Sequence, residues 1–223
     1  MTGISNMELN EIAQRYGAEH GFDKVTAKFG EIPEFKIRWL RMGTQIDFEV
    51  SDYLEDAPEE VVEDIMSVIY RRMSGDEADY SYATIEHLTS EKFRKVHAGT
   101  YFERRGMIPD DDGHIEELYH QLVDEGLLKE ADIRFGWGRQ LNMSNSGSVL
   151  FRTVAIDDHF RWVPDASLKM IVYAAARYVT EMTFSSHPEN PRHLMAGYYQ
   201  DYLRLKKDEV PQEFADMLLK EVA

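Results

Sequence analysis

Apolar and polar positions change period several times along the chain. Over residues 6–18, Met7, Leu9, Ile12 and Ala13 share a helical face, with Asn6 or Ser5 available as cap, which predicts an N-terminal helix. FKIRWLRM (35–42) and QIDFEV (45–50) read as strands. In the second, Ile46, Phe48 and Val50 alternate with Asp47 and Glu49, and the Gly43-Thr44 link predicts a hairpin. The period then returns to helical in SDYLEDAPEEVVEDIMSVIYRRMSG. Pro58 suits a first helical turn, and Glu59 and Glu60 sit beside the positive end of the helix dipole. Val61, Val62, Ile65, Met66, Val68 and Ile69 form a broad apolar face that Gly75 ends. Helices are expected at 90–104 and 114–126, on either side of a turn in MIPDDDG. Strands are expected at 132–138 and 149–156, joined by a polar NMSNSG turn. Helices at 166–183, 191–206 and 211–222, punctuated by HPENP, complete the chain.

One segment echoes another. FEVSDYLEDAPEEVVEDIMSVI and VAIDDHFRWVPDASLKMIVYAA align without gaps, matching Asp52 with Asp158, Pro58 with Pro164 and Ile65 with Ile171. Each reads as a strand, a short crossing and a proline-started helix. A duplication and a common strand-to-helix device both account for this. On either reading, helices 59–73 and 166–183 are expected to follow strands and pack on the same sheet, with Ile65 and Ile171 buried.

Composition narrows the function classes. The formal net charge is −16, from 41 acidic and 25 basic residues, which disfavours sequence-independent nucleic-acid binding. The short basic runs, RRG at 104–106 and LRLKKD at 203–208, are flanked by acids and read as solvated helix ends. No stretch is apolar and long enough to span a membrane, and the first residues lack a secretion-signal pattern, so a cytoplasmic protein without membrane contact is expected. Cysteine is absent, which removes disulfides, Cys-ligated zinc and a cysteine nucleophile together.

The C-terminal half carries a resemblance. DIRFGWGRQ, then FRTVAIDD, the proline-led RWVPDASL, the helix KMIVYAAARYV and the later HPENPRHLMAGYYQDY follow one another in the order of the SprT-like and Ste24-like zinc metallopeptidases. Upstream, FKIRWLRMGTQIDFEVSDYLEDAPEEV and SEKFRKVHAGTYFERRG are similar to the front of compact members, so the resemblance spans about residues 24–206, most fully 131–206. It implies a zincin-like fold whose helix carries a His-Glu-x-x-His run. Two histidines four apart grip one zinc, and the Glu between them acts as general base on the metal-bound water. Anchored at Tyr173, those positions hold Ala174, Ala175 and Tyr178, and the third-ligand position holds Leu194. None of the four can ligate zinc. The plainer reading of the alanines is a good helix former packed where space is small.

The chain has 8 histidines, so a displaced metal site is a second candidate. His159 lies on the crossing before the helix, and His187 and His193 flank the proline-rich turn. In HIEELYH, His114 and His120 bracket Glu117, although an amphipathic helix with Ile115, Leu118 and Leu122 inward explains that run better. Tyr173, Arg177, His193 and Tyr198 are candidate cleft residues around the erased site, with Tyr178 and Leu194 as fillers.

The expectation is therefore one α+β, zincin-like domain over 1–223, with an N-terminal helix at 6–18 and a small, mainly antiparallel sheet carrying packed helices. Its function is expected to be that of a catalytically inactive metallopeptidase-like protein, without cofactor or bound metal, that binds a protein or peptide. The alternative is a metal-dependent hydrolase built on His159, His187, His193 or His114 and His120.

Overall fold

The computed structural model describes residues 3–139, 141, 143–182 and 191–223. The backbone gathers into two compact units, Met1–Phe93 and Arg94–Ala223, rather than around one sheet.

In the first unit, α1 (Asn6–Glu19) starts at Ser5, whose side chain accepts the Glu8 N–H while Glu8 reaches back to the Ser5 N–H. This reciprocal cap explains the sharp start. Leu9, Ile12 and Ala13 are buried as the period requires, whereas Met7 is 70% exposed and belongs to the outer face. Three strands follow: β1 (Lys24–Gly30), β2 (Ile37–Met42) and β3 (Gln45–Ser51). Their order is β1-β3-β2, with β1 parallel and β2 antiparallel to β3. Ile46, Phe48 and Val50 are buried and alternate with solvent-facing residues, as the pattern requires. β1 was not expected, although Val25, Ala27 and Phe29 alternate in it. After a short 3-10 turn (Asp52–Leu54) and Pro58 comes α2 (Glu59–Met73). Tyr70 of α2 lies edge-on to Phe48 of β3, ring centroids 5.3 Å apart, and donates to the Ala13 carbonyl at 2.9 Å, joining helix, sheet and helix. Gly17 permits this approach, since a Cβ there would meet Val25 and the Tyr70 hydroxyl. A short α3 (Tyr82–Thr89), also unexpected, follows, and α4 (Glu91–Arg104) begins at the end of this unit and lies mostly in the second.

The second unit repeats the plan. α5 (His114–Asp124) precedes β5 (Arg134–Gly138), β6 (Asn145–Ser148) and β7 (Thr153–Asp157), and a 3-10 turn (Asp158–Trp162) leads past Pro164 into α6 (Asp165–Glu181). A two-residue β4 (Ile108–Pro109) gives the order β4-β5-β7-β6. Again the first long strand runs parallel to the last, β5 with β7, and the middle one pairs antiparallel as the outer strand, β6 with β7. Both sheets are thus mixed, not mainly antiparallel.

The sequence echo now extends further back. Buried Leu9, Ile12 and Ala13 of α1 correspond in helical phase to buried Ile115, Leu118 and Tyr119 of α5. Ile65 and Ile171 are both buried, but α2 and α6 belong to separate sheets, which corrects the expectation of a shared one. What recurs is a whole helix, three-strand, helix unit. The NMSNSG stretch also differs from expectation. Asn145–Ser148 is a strand, and the true turn lies at 149–152, where Arg152 takes a left-handed φ of 45°.

Two helices close the second unit, α7 (Pro191–Lys206) and α8 (Gln212–Val222). Its core draws on α5, the sheet, α6, α7 and α8 and includes Trp137, Ile156, Ile171, Tyr199, Tyr202 and Leu218. A fully buried Leu or Ile contributes roughly 2 kcal/mol. The basic run at 203–208 is locally neutralised, with Lys206 on Glu125 and Glu209 and Arg204 on Asp201. No helix among the described residues is long and apolar enough to cross a membrane.

Candidate functional site

The centre of α6 is surrounded. It contacts α5, α7, β6 and β7, and residues 170–176 are all buried. A helix packed on several sides is apolar around its circumference, and small side chains let its neighbours approach. Ala174, Ala175 and Ala176 are at most 1% exposed for this reason. The edge strand comes close as well: a Cβ built on Gly147 of β6 would lie 2.8 Å from Val179 Cγ1. Tyr178 and Leu194, which the resemblance aligns with the second and third ligands, are partly buried and pack against the same core. The four positions that the resemblance singles out are therefore filled by packed side chains.

Arg177, one turn on from Tyr173, faces α7. Its Nε and Nη2 donate to the Glu181 carboxylate at 2.7 and 3.0 Å, and its Nη1 donates to Asp201 Oδ2 and the Tyr173 hydroxyl, both at 2.9 Å. The guanidinium also sits 4.5 Å from the centre of the Tyr198 ring and 5.4 Å from that of Tyr173. Glu181 first, then Asp201, raises the pKa of Arg177 against the opposing effect of burial, so the cation is permanent. Burial, then the Glu181 charge, pushes the Tyr198 phenol up to about 12. The structure thus brings together three of the four expected cleft residues, as a clamp between α6 and α7. His193 stands apart, exposed in the first turn of α7. The clamp borders an open hollow of about 620 Å³ lined by Lys129, Arg152, Tyr173, Arg177, Thr180 and Glu181, among others. Because Glu181 and Asp201 already hold the guanidinium, Arg177 acts there as a tie rather than a free cation.

Among the described residues, the candidate histidines do not gather into one site. His114 Nε2 lies 3.3 Å from Asp165, and His120 Nε2 lies 3.8 Å from Glu116. His187 lies outside the described residues. His159 is the exception: its Nδ1 is 2.5 Å from Asp157 Oδ1 and 3.7 Å from Asp158 Oδ1. Among the described residues, these three form the group whose donor atoms lie close enough together to hold a metal ion. Asp157 and His159 rim a hollow of about 440 Å³ with Leu141, Ser144, Phe160 and Glu221. However, the Asp157 carboxylate has a structural task. It accepts the His159 N–H at 3.0 Å, capping the 3-10 turn, and the Leu141 N–H at 2.7 Å. Burial pushes Asp157 up, but the His159 and Leu141 hydrogen bonds outweigh it and hold the carboxyl below its ordinary value. Asp157 in turn raises the pKa of His159, which favours imidazolium, a form that binds no metal. Sequence reasoning marked His159 but missed Asp157, whose signal is an acid at the start of a turn.

Beside this pair lies a buried polar link. The Ser144 and Tyr199 hydroxyls are 2.8 Å apart, Asn145 Nδ2 donates to the Tyr199 hydroxyl at 3.2 Å, and the Ser144 N–H donates to Glu221. Burial raises the Tyr199 phenol well above its usual range. An acid whose pKa is raised on folding keeps its proton in the native state after the unfolded chain has released it. Stability should therefore fall as pH climbs past about 10. Urea midpoints measured between neutral pH and pH 11 should decline, and Tyr199→Phe, although weaker at neutral pH, should decline less steeply. An identical slope in both proteins would place the alkaline sensitivity elsewhere.

Comparison with protein-family models, with curated proteins and with solved structures finds no match to this chain.

Proposed function

We propose that the chain is a catalytically inactive, metallopeptidase-like protein that acts by binding a protein or peptide. One observation carries this reading: the helix that would hold the metal has Ala174 and Ala175 buried at the ligand and base positions, with Tyr178 and Leu194 packed at the other two. The proline-led α6 follows β5, β6 and β7 and precedes α7, with a strand at Asn145–Ser148 where the resemblance places a turn. Zinc needs three or four N, S or O ligands, and these positions supply one phenol and hydrocarbon.

A second reading, a metal-dependent hydrolase, is favoured by the Asp157, Asp158 and His159 group alone. Metal analysis separates the two. Protein dialysed against a weak chelator is expected to hold far less than one zinc per chain, by emission spectroscopy. A stoichiometric metal that His159→Ala abolishes would overturn the binding reading and favour hydrolysis.

A further inference from the structure

The two edges of the first sheet are treated differently. Along β1, the Phe29 N–H donates to Asn6 Oδ1 at 2.6 Å and the Ala27 N–H to Asn10 Oδ1 at 2.9 Å, while Gln14 Nε2 donates to the Val25 carbonyl at 3.3 Å. These three residues recur every fourth position on α1, so one polar stripe of the helix satisfies the backbone edge of the strand.

β2, at the other edge, has no strand beyond it among the described residues. The Ser51 N–H donates to the Lys36 carbonyl at 3.2 Å, which sets the phase of the ladder. Residues 36, 38, 40 and 42 bond toward β3, and Ile37, Trp39 and Arg41 turn their backbone N–H and C=O outward. The side chains are also uncovered: Trp39 is 51% exposed, Leu40 60% and Met42 54%. Beside them, over the sheet's outer face, lies an open hollow of about 610 Å³ bordered by Thr26, Lys28, Arg38, Leu40, Asp47 and Glu49. The strand is basic within an acidic protein. From Lys36 to Met42 it carries Lys36, Arg38 and Arg41 and no acid, in a chain of net charge −16. The Arg38–Glu49 pair, 3.5 Å apart and exposed, is weak enough to exchange for another carboxylate.

We propose that β2 is a docking strand, to which an extended segment of a partner protein, alternating apolar and acidic residues, adds as a fourth strand. The outward amides and carbonyls of Ile37, Trp39 and Arg41 supply the ladder. Leu40 and Met42 take the apolar side chains on the outer face, and Arg41, on the other face beside Trp39, takes the acids. A second copy is the poorer occupant, because it would bring two such basic strands together and two bodies of charge −16. The proposal gives the binding reading a place and a ligand class, and it rests on that reading.

The probe is a labelled synthetic peptide of about eight residues alternating glutamate with valine or phenylalanine. Its counterpart carries lysine in place of glutamate. With the full chain, the acidic peptide should bind saturably and at least about tenfold more tightly than the lysine peptide. Hydrogen exchange at the Ile37, Trp39 and Arg41 amides should slow on binding. Trp39→Pro removes an outward N–H that makes no bond to β3, and an edge strand accepts proline there. It should keep its thermal midpoint to within a few degrees and lose at least about tenfold in affinity. Arg41→Glu, a surface change that also covers the case in which the proline variant fails to fold, should weaken the acidic peptide and strengthen the lysine one. Unchanged affinity in the folded variants, no protection of the three amides, or their protection in a peptide-free dimer seen by sedimentation would each overturn the proposal. Metal content is measured separately. A zinc-free protein that ignores the peptide loses this site alone, whereas a zinc-loaded protein loses the inactive reading whatever the peptide does.

Discussion

Installing the ligand set of the metallopeptidase pattern is expected to unfold the second unit rather than create a zinc site. Ala174→His, Ala175→Glu, Tyr178→His and Leu194→His together rebuild the ligand set on paper. Yet Ala174 and Ala175 have no more than 1% of their surface exposed, on a helix packed by α5, α7, β6 and β7. A histidine and a glutamate there add bulk to a filled core and bury a carboxylate with no cation fixed to meet it. The cost is at least about 4 kcal/mol, a large share of a domain's stability. Circular dichroism should show loss of cooperative melting, and zinc titration should give no tight stoichiometric binding. Ala175→Glu alone should account for most of the damage. A quadruple variant that melts like the parent and binds one zinc would mean that the core retains room the packing does not reveal.

The second large effect is expected at Gly147. This residue lets β6 lie against α6, because an added Cβ would sit 2.8 Å from Val179 Cγ1 and 3.2 Å from the Thr153 carbonyl oxygen. Gly147→Val must push the strand off the helix or bend the β6–β7 ladder, at a cost of about 3 kcal/mol. Urea denaturation reads this directly. Shortening the neighbour supplies the internal check: Gly147→Ala should be markedly less harmful in a Val179→Ala background than alone, a coupling that a double-mutant cycle measures. Additive effects would show that the strand and helix do not meet there.

Local periodicity made much of each unit legible. Ile46, Phe48 and Val50 showed their strand, and Val61, Val62, Ile65 and Met66 showed theirs to be a helix face. What escaped is what needs partners distant in sequence. β1 is hidden in the sequence because its alternate positions include only Val25, Ala27 and Phe29 among lysines and a threonine, a pattern that becomes a strand beside Phe48. β6 looks like a turn in the sequence because Asn145, Ser146, Gly147 and Ser148 are all turn-favouring residues, and pairing with Thr153–Ile156 makes them extended. The candidate site was legible as an absence of ligands at four positions. Its filling was not, because Arg177 finds Asp201 only when α7 folds back on α6. The two-unit plan lay in the echo of Asp52, Pro58 and Ile65, whose range the helix phase of α1 and α5 extends.

The asparagine stripe of α1 also limits what the first sheet can become. An open sheet with two bare edges is a bifunctional monomer, and each strand it captures leaves a new growing end. With β1 closed by Asn6, Asn10 and Gln14, this sheet has a valence of one. Two sheets joined edge to edge at β2 would have no bare strand left, and the addition would terminate there. The arrangement leaves a sticky strand available without making the sheet a link in a fibre, since polymerisation needs two ends and α1 has removed one.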